Sequence, residues 1–189
     1  GDIYINGKKV TIKSPQDAVK YGIGYLSEDR KRYGIVVQKS VAENTTMATL
    51  EKFMSGPFID KKKENKVAQE YVEQLATKTP GTDQLVVNLS GGNQQKVVIA
   101  KWLTRDCDIL IFDEPTRGID GGAKNEIYKL MNQLAAEGKA IIMISSEMTE
   151  ILRMSDRIVV MCEGKKTGEL DISEATQENI MNMATREIE

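Results

Sequence analysis

Histidine is missing from all 189 residues, and that gap excludes a Ser-His-Asp triad, a His-ligated zinc site and any imidazole base. Acid and base chemistry falls to carboxylates. Cysteine is scarce too: Cys107 and Cys162 form no ligand or disulfide pattern, which suits a reduced compartment and reads as two small apolar residues. No apolar run approaches the roughly twenty residues of a membrane span, and no signal peptide is recognisable. Membrane association is therefore expected to run through a partner. Aromatic residues make up 5% of the chain and the net charge is −2, which leaves no basic surplus for nucleic acid. The 40% hydrophobic content suits one α/β domain with an ordinary core.

Two stretches carry chemistry. In Leu89-Ser90-Gly91-Gly92-Asn93-Gln94, Ser90 sits where a helix should begin, and the two glycines leave the first-turn amides uncovered, so an anion can approach the backbone. About twenty residues on, Ile109-Leu110-Ile111-Phe112 reads as a fully buried parallel strand ending in Asp113-Glu114-Pro115. Such a strand delivers two carboxylates to the edge where open α/β sheets place ligands. There an Asp can hold Mg²⁺ through water while the next Glu orients an attacking water. Taken singly, Ser-Gly-Gly reads equally as a helix cap and Asp-Glu-Pro as a strand-ending turn.

In this order and spacing they resemble the ABC ATPases. Leu89 to Asn93 resembles the LSGGQ signature with Asn in the last place, residues 109–114 resemble the Walker B strand with its catalytic Glu, and Thr116-Arg117-Gly118-Ile119-Asp120 resembles the D-loop. The resemblance implies ATP and Mg²⁺ as cofactors, with Asp113 at the metal, Glu114 activating water, and Ser90, Gly91, Gly92, Asn93 and Gln94 against the nucleotide. It implies a coupling role for Asp120. The implied fold is an α/β P-loop NTPase fragment with a mainly parallel sheet, an N-terminal β-hairpin and an inserted helical subdomain over about 40–100.

Taken in order, Asn6-Gly7 between alternating residues predicts a hairpin over 3–10, and Ser14-Pro15 starts a short helix stopped at Gly22. A strand at 23–26 runs into Ser27-Glu28-Asp29-Arg30-Lys31-Arg32, by charge a solvated loop. The resemblance lays Glu28 on the Q-loop Gln, a residue that reaches the metal and signals to the transport subunit. It also likens this run to the C-terminal ATPase half of ribose-type sugar importers. Ser40 and Glu43 have capping-box spacing for a helix over 41–53, broken at Gly56-Pro57, and 60–78 reads as a second helix. The signature helix spans 91–104 and another amphipathic helix runs from Gly121 to Gly138, before a second buried strand at 140–144. Ser146 takes the place of the family's switch His, a catalytic position, and reads equally as the N-cap of a helix over 148–154. A hairpin over 157–170 and a terminal helix capped by Ser173 complete the pattern.

No G-x-x-x-x-G-K-[ST] phosphate loop is present, and the chain starts at Gly1, so it is expected to be an excised piece, about three quarters of one nucleotide-binding domain. The resemblance makes it part of the ATP-hydrolysing, energy-coupling subunit of a bacterial ribose or other monosaccharide importer. That subunit would sit on the cytoplasmic side of the membrane. Expected partners are a second ATPase half, transmembrane permease subunits and, indirectly, a periplasmic or extracellular sugar-binding protein; nucleic acid is not expected. The alternative is a non-catalytic half that completes the partner's site, which the departures at Glu28 and Ser146 favour. In either case the isolated piece is expected to be inactive.

Overall fold

Asn6 and Gly7 both take left-handed backbone angles (φ 50° and 74°), and their turn folds β1 (Ile3–Ile5) onto β2 (Lys8–Val10) as predicted. The computed structural model describes residues 1–185 of the protein. Ser14 caps α1 (Pro15–Lys20) by accepting from the Asp17 amide, and Gly22 (φ 75°) turns the chain into β3 (Ile23–Leu26). Where the charge run reads as an open loop, a π-helical turn forms over Arg30–Gly34, started by Asp29 Oδ1 accepting from Arg32 N–H at 3.1 Å.

The capping box forms as predicted, Ser40 and Glu43 each accepting the other's backbone amide at 3.1 and 3.0 Å. The helix it starts is shorter than the pattern suggests. It ends as α2 (Val41–Thr46), and Met47–Phe53 continues as tighter 3₁₀ turns interrupted at Thr49. Gly56 and Pro57 join a hairpin the sequence did not announce, β4 (Met54–Ser55) to β5 (Phe58–Ile59). Asp60 then caps α3 (Lys61–Gln74), which stops short of the expected residue 78. The cause is Ala76, held at φ 48° with its carbonyl accepting from Lys96 Nζ at 2.8 Å.

After α4 (Gly91–Thr104) come β6 (Ile109–Asp113), α5 (Gly121–Ala136) and β7 (Ala140–Ile144). The order β3-β6-β7 gives a three-stranded parallel sheet with β6 in the middle, pairing Leu26 with Phe112 and Asp113 with Ile144. Hydrophobic burial holds it: Leu110 and Phe112 are fully enclosed, as are Ile99 of α4 and Ile127 of α5. The second strand is less buried than its apolar run predicts. As an edge strand β7 leaves Ile142 and Ile144 about half exposed.

These elements make one compact unit, residues 1–144, and a second unit begins at Ser145. The second unit packs α6 (Met148–Met154) and α7 (Gln177–Ala184) around the hairpin β8 (Arg157–Cys162) and β9 (Lys165–Asp171), burying Ile158, Val160 and Ile180. Two caps differ from expectation. Glu147, not Ser146, takes the position before α6, because the Ser145 hydroxyl accepts the Glu147 amide one residue earlier than the pattern suggests. Ser173 lies in a 3₁₀ turn, and Thr176 caps α7 by accepting from Asn179 N–H at 3.1 Å.

Candidate functional site

Because β6 is the central strand, its last residue comes out at the carboxyl edge of the sheet between its two neighbours. There Tyr25 Oη, from β3, donates to Asp113 Oδ2 at 2.5 Å. That bond, with some burial, raises the Tyr25 pKa above the usual phenol value, since a phenolate beside the carboxylate is disfavoured. Next along the chain, Glu114 is forced to φ 46°, a strained conformation for a residue with a Cβ, while its amide donates to Ile144 O on β7 at 2.9 Å. A turn follows at once, closed by Arg117 N–H donating to Glu114 O at 3.1 Å. Asp113 and Glu114 are thus adjacent at the sheet edge, as the sequence predicts.

Glu28 lies in the loop that follows β3. Its carboxylate forms an ion pair with the Arg117 guanidinium, so the loop after β3 is tied to the turn after β6. Among the described residues no cluster of three Asp, Glu, Cys or His could hold a metal ion. A single carboxylate such as Asp113 is compatible with Mg²⁺, since that ion keeps most of its waters and commonly takes one or two carboxylates plus phosphate oxygens. Asp120 proves to be the cap of α5, Oδ1 accepting from Ala123 N–H at 3.0 Å.

At the start of α4, Ser90 occupies the cap position with extended backbone, yet its hydroxyl makes no capping bond. Instead Ser90 Oγ accepts from Asn93 Nδ2 at 2.8 Å, and Asn93 Oδ1 accepts from Lys78 N–H at 2.8 Å. Asn93 is thereby committed to the protein, and because Ser90 accepts from it, the Ser90 proton remains a donor directed elsewhere. Ser90 is exposed and Gly91 half-buried. Gly92 packs so tightly on α5 that a Cβ there would lie 2.7 Å from the Ala123 methyl. Gln94, expected against nucleotide, turns inward instead: it is 3% exposed and its Nε2 donates to Val86 O at 3.1 Å. Lys96 is buried too, its Nζ donating to Ala76 O and Glu126 Oε2, both at 2.8 Å. Ser146 is exposed and belongs to the second unit.

Three residues of this site were not singled out from sequence: Tyr25, Arg30 and Arg117. Arg30 Nη1 donates to Arg117 O at 3.0 Å, and its Nη2 stands where a Cβ on Gly91 would be only 2.7 Å away. The charge run 28–32 was the available signal, but charge alone does not say which side chain folds back onto a helix start.

Residues 1–117 match the ABC transporter family. A Burkholderia ambifaria protein provisionally named as a ribose/galactose/methyl galactoside import ATP-binding protein is 60% identical over 187 residues, 98% of this chain and 36% of its own. A xylose import ATP-binding protein of Thermoanaerobacter pseudethanolicus is 57% identical over 185 residues, 98% of this chain and 37% of its own. The chain therefore spans little more than a third of the length of these relatives. A solved nucleotide-free ATP-binding cassette from an ABC transporter matches with TM-score 0.76 and 23% identity, covering 95% of this chain and 71% of that one. At that identity the likeness is one of fold.

Proposed function

The chain belongs to the ABC transporter family, and from that premise we propose that it is part of the energy-coupling ATPase of a bacterial monosaccharide importer, acting on the cytoplasmic face of the membrane. The reaction is ATP and water to ADP and phosphate. Ser90, Gly91 and Gly92 act on nucleotide bound by another ATPase half, with the exposed start of α4 as the face that meets it. The observation that carries this reading is the Ser90 hydroxyl, exposed, not used as a cap, and fixed by Asn93 so that its proton can be donated to a phosphate oxygen.

At the sheet edge Asp113 would hold Mg²⁺, and Glu114 takes a proton from the attacking water. When bound, the ion offsets triphosphate charge. No helix among the described residues is long and apolar enough to cross a membrane. The permease is the proposed membrane contact. Its docking surface excludes Phe53, which is 2% exposed. Val87 N–H donates to Val37 O at 2.8 Å, and the two strands of chain so joined expose Tyr33, Val36, Leu85 and Val87. The sugar-binding protein is then an indirect partner, and the sugars named for the relatives set the substrate class.

A second reading, a non-catalytic half, is favoured by one observation: Glu28, at the Q-loop position, is held in an ion pair by Arg117.

The test uses the full-length protein with its permease. Ser90→Asp keeps an acceptor for Asn93 Nδ2 while placing a carboxylate where the anion should dock, so ATPase activity and sugar uptake should fall about 10²-fold or more. Glu114→Gln separates the two readings, since a fall of about 10²–10⁴ marks a working site here and no change marks a non-catalytic half. Unchanged turnover in Ser90→Asp would defeat both.

A further inference from the structure

The segment from Glu28 to Gly34 is fastened to the signature helix along three turns, and it is also fastened to the D-loop. At one end Lys101 Nζ, buried within α4, donates to Gly34 O at 2.5 Å. In the middle a Cβ on Gly34 would sit 3.2 Å from Val98 Cγ2, so the turn lies directly on the helix. At the other end Arg30 reaches Gly91, the first residue of α4. The same guanidinium donates to Arg117 O, and the Arg117 side chain returns to Glu28. Two adjacent strands thus send out loops that grip each other twice, through a backbone carbonyl and through an ion pair.

We infer that Arg30 is a positioning residue for the ATPase reaction, holding the Gly91 amide and the D-loop in one arrangement and carrying displacements of the Glu28–Gly34 segment to both. The planar fork is what the geometry uses: Nη1 serves the D-loop carbonyl while Nη2 faces Gly91. Gly91 is correspondingly enclosed, since a Cβ there would also come within 3.1 Å of Gly118 O, a second D-loop carbonyl. Partial burial strips water from Arg30 and lowers its pKa, yet a guanidinium stays charged at any working pH. Its charge therefore adds to the positive end of the α4 dipole. Exposed Tyr33 and Val36 lie in or just beyond the same turn, so a partner pressing there moves the residue that touches Gly91 and Arg117.

This role in turnover rests on the proposed ATPase function; the mechanical link rests on the geometry alone. Both are tested in the full-length transporter with Arg30→Ala and Arg30→Lys, beside Ser90→Asp. Arg30→Ala should lower permease-stimulated kcat about tenfold or more while the KM for Mg-ATP shifts less than about twofold, because positioning is lost and ground-state binding is not. Arg30→Lys, which keeps charge without the fork, should recover less than about a third of the loss. Hydrogen exchange gives a readout independent of activity: in both variants amides 91–92 and 117–120 should exchange about tenfold faster, with those of β6 unchanged. If Arg30→Ala does not fold, Arg30→Lys is judged by the same measures. Wild-type kcat and unaltered exchange in the Arg30 variants, with Ser90→Asp inactive, overturns this inference alone. Wild-type turnover in Ser90→Asp overturns the functional reading, and the exchange result then still decides the link.

Discussion

Tyr25 Oη and Asp113 Oδ2 meet at 2.5 Å across the carboxyl ends of β3 and β6, which join a residue from the strand before the Glu28 loop to the carboxylate expected at the metal. The bond gives that carboxylate a fixed orientation. A hydrogen bond to a charged group is worth about 1.5–3 kcal/mol when enclosed, and Tyr25 is half exposed, so Tyr25→Phe should lose only about 1 kcal/mol. Urea unfolding at pH 7 measures it. A loss below about 0.3 kcal/mol would mean that water replaces the phenol at no cost.

Lys101 gives the unit a pH dependence of unusual sign for a lysine contact. The residue is 7% exposed, and its ammonium donates to Gly34 O and lies 4.9 Å from the Trp102 ring centre, with no carboxylate partner among the described residues. Desolvation lowers its pKa to about 8 from 10.5. Between those values the unfolded chain binds more protons than the folded one, so stability rises as pH climbs through that window. The gain is on the order of 3 kcal/mol by pH 10.5. Urea midpoints taken from pH 7 to 10 should climb in the wild type and stay flat in Lys101→Met. An equal climb in both assigns the titration to another group.

Asn44 holds the extended segment after the π-helical turn. Its Oδ1 accepts from Val36 N–H at 2.8 Å while Nδ2 donates to the carbonyls of Val36, Lys39 and Ser40 at 3.0, 3.2 and 2.9 Å. Only an amide can do both. Asn44→Ala should cost about 3 kcal/mol, and Asn44→Asp at least as much because a carboxylate faces three carbonyls. For a chain of this size that is a fall of about 6–12 °C in Tm, read by thermal unfolding. A smaller loss for Asp than for Ala would contradict the donor role.

Elements specified by local chemistry were legible in the sequence, and those decided by distant partners were not. The Asn6-Gly7 hairpin, the Ser40 capping box and the bounds of α4 follow from turn angles, cap chemistry and periodicity, which neighbouring residues set. Asp113 and Glu114 reached the sheet edge for the same reason. The helix expected over 41–53 gives way to 3₁₀ turns after Thr46, and α3 stops where Lys96, twenty residues away, captures the Ala76 carbonyl. Glu64 reads as a solvated helix residue, yet it is buried, accepting from Thr46 Oγ1 at 2.8 Å and pairing with Lys61 at 2.7 Å. Gln94 and Asn93 carry the same polar label, and only packing shows that one supports Val86 while the other fixes Ser90.

Gly92 serves two purposes that a pair of substitutions can separate. Its missing side chain lets α4 approach α5, for a Cβ there would meet the Ala123 methyl at 2.7 Å, and neither group is the movable end of a long side chain. Gly92→Ala should therefore destabilise by about 1–3 kcal/mol through overpacking, outweighing the modest gain in helix propensity at a first-turn position. Removing the opposing methyl should relieve it: in Gly92→Ala with Ala123→Gly most of the lost stability returns, apart from about 1 kcal/mol for a glycine placed in α5. Urea unfolding of the two single variants and the double variant closes that cycle. In the full-length transporter the double variant tests the second purpose, close approach of a phosphate to the backbone: turnover that stays slow after stability returns marks Gly92 as needed by the anion. Recovery of stability together with full ATPase activity would mean that Gly92 is needed only for helix packing, leaving Ser90 and Gly91 as the residues that face the anion.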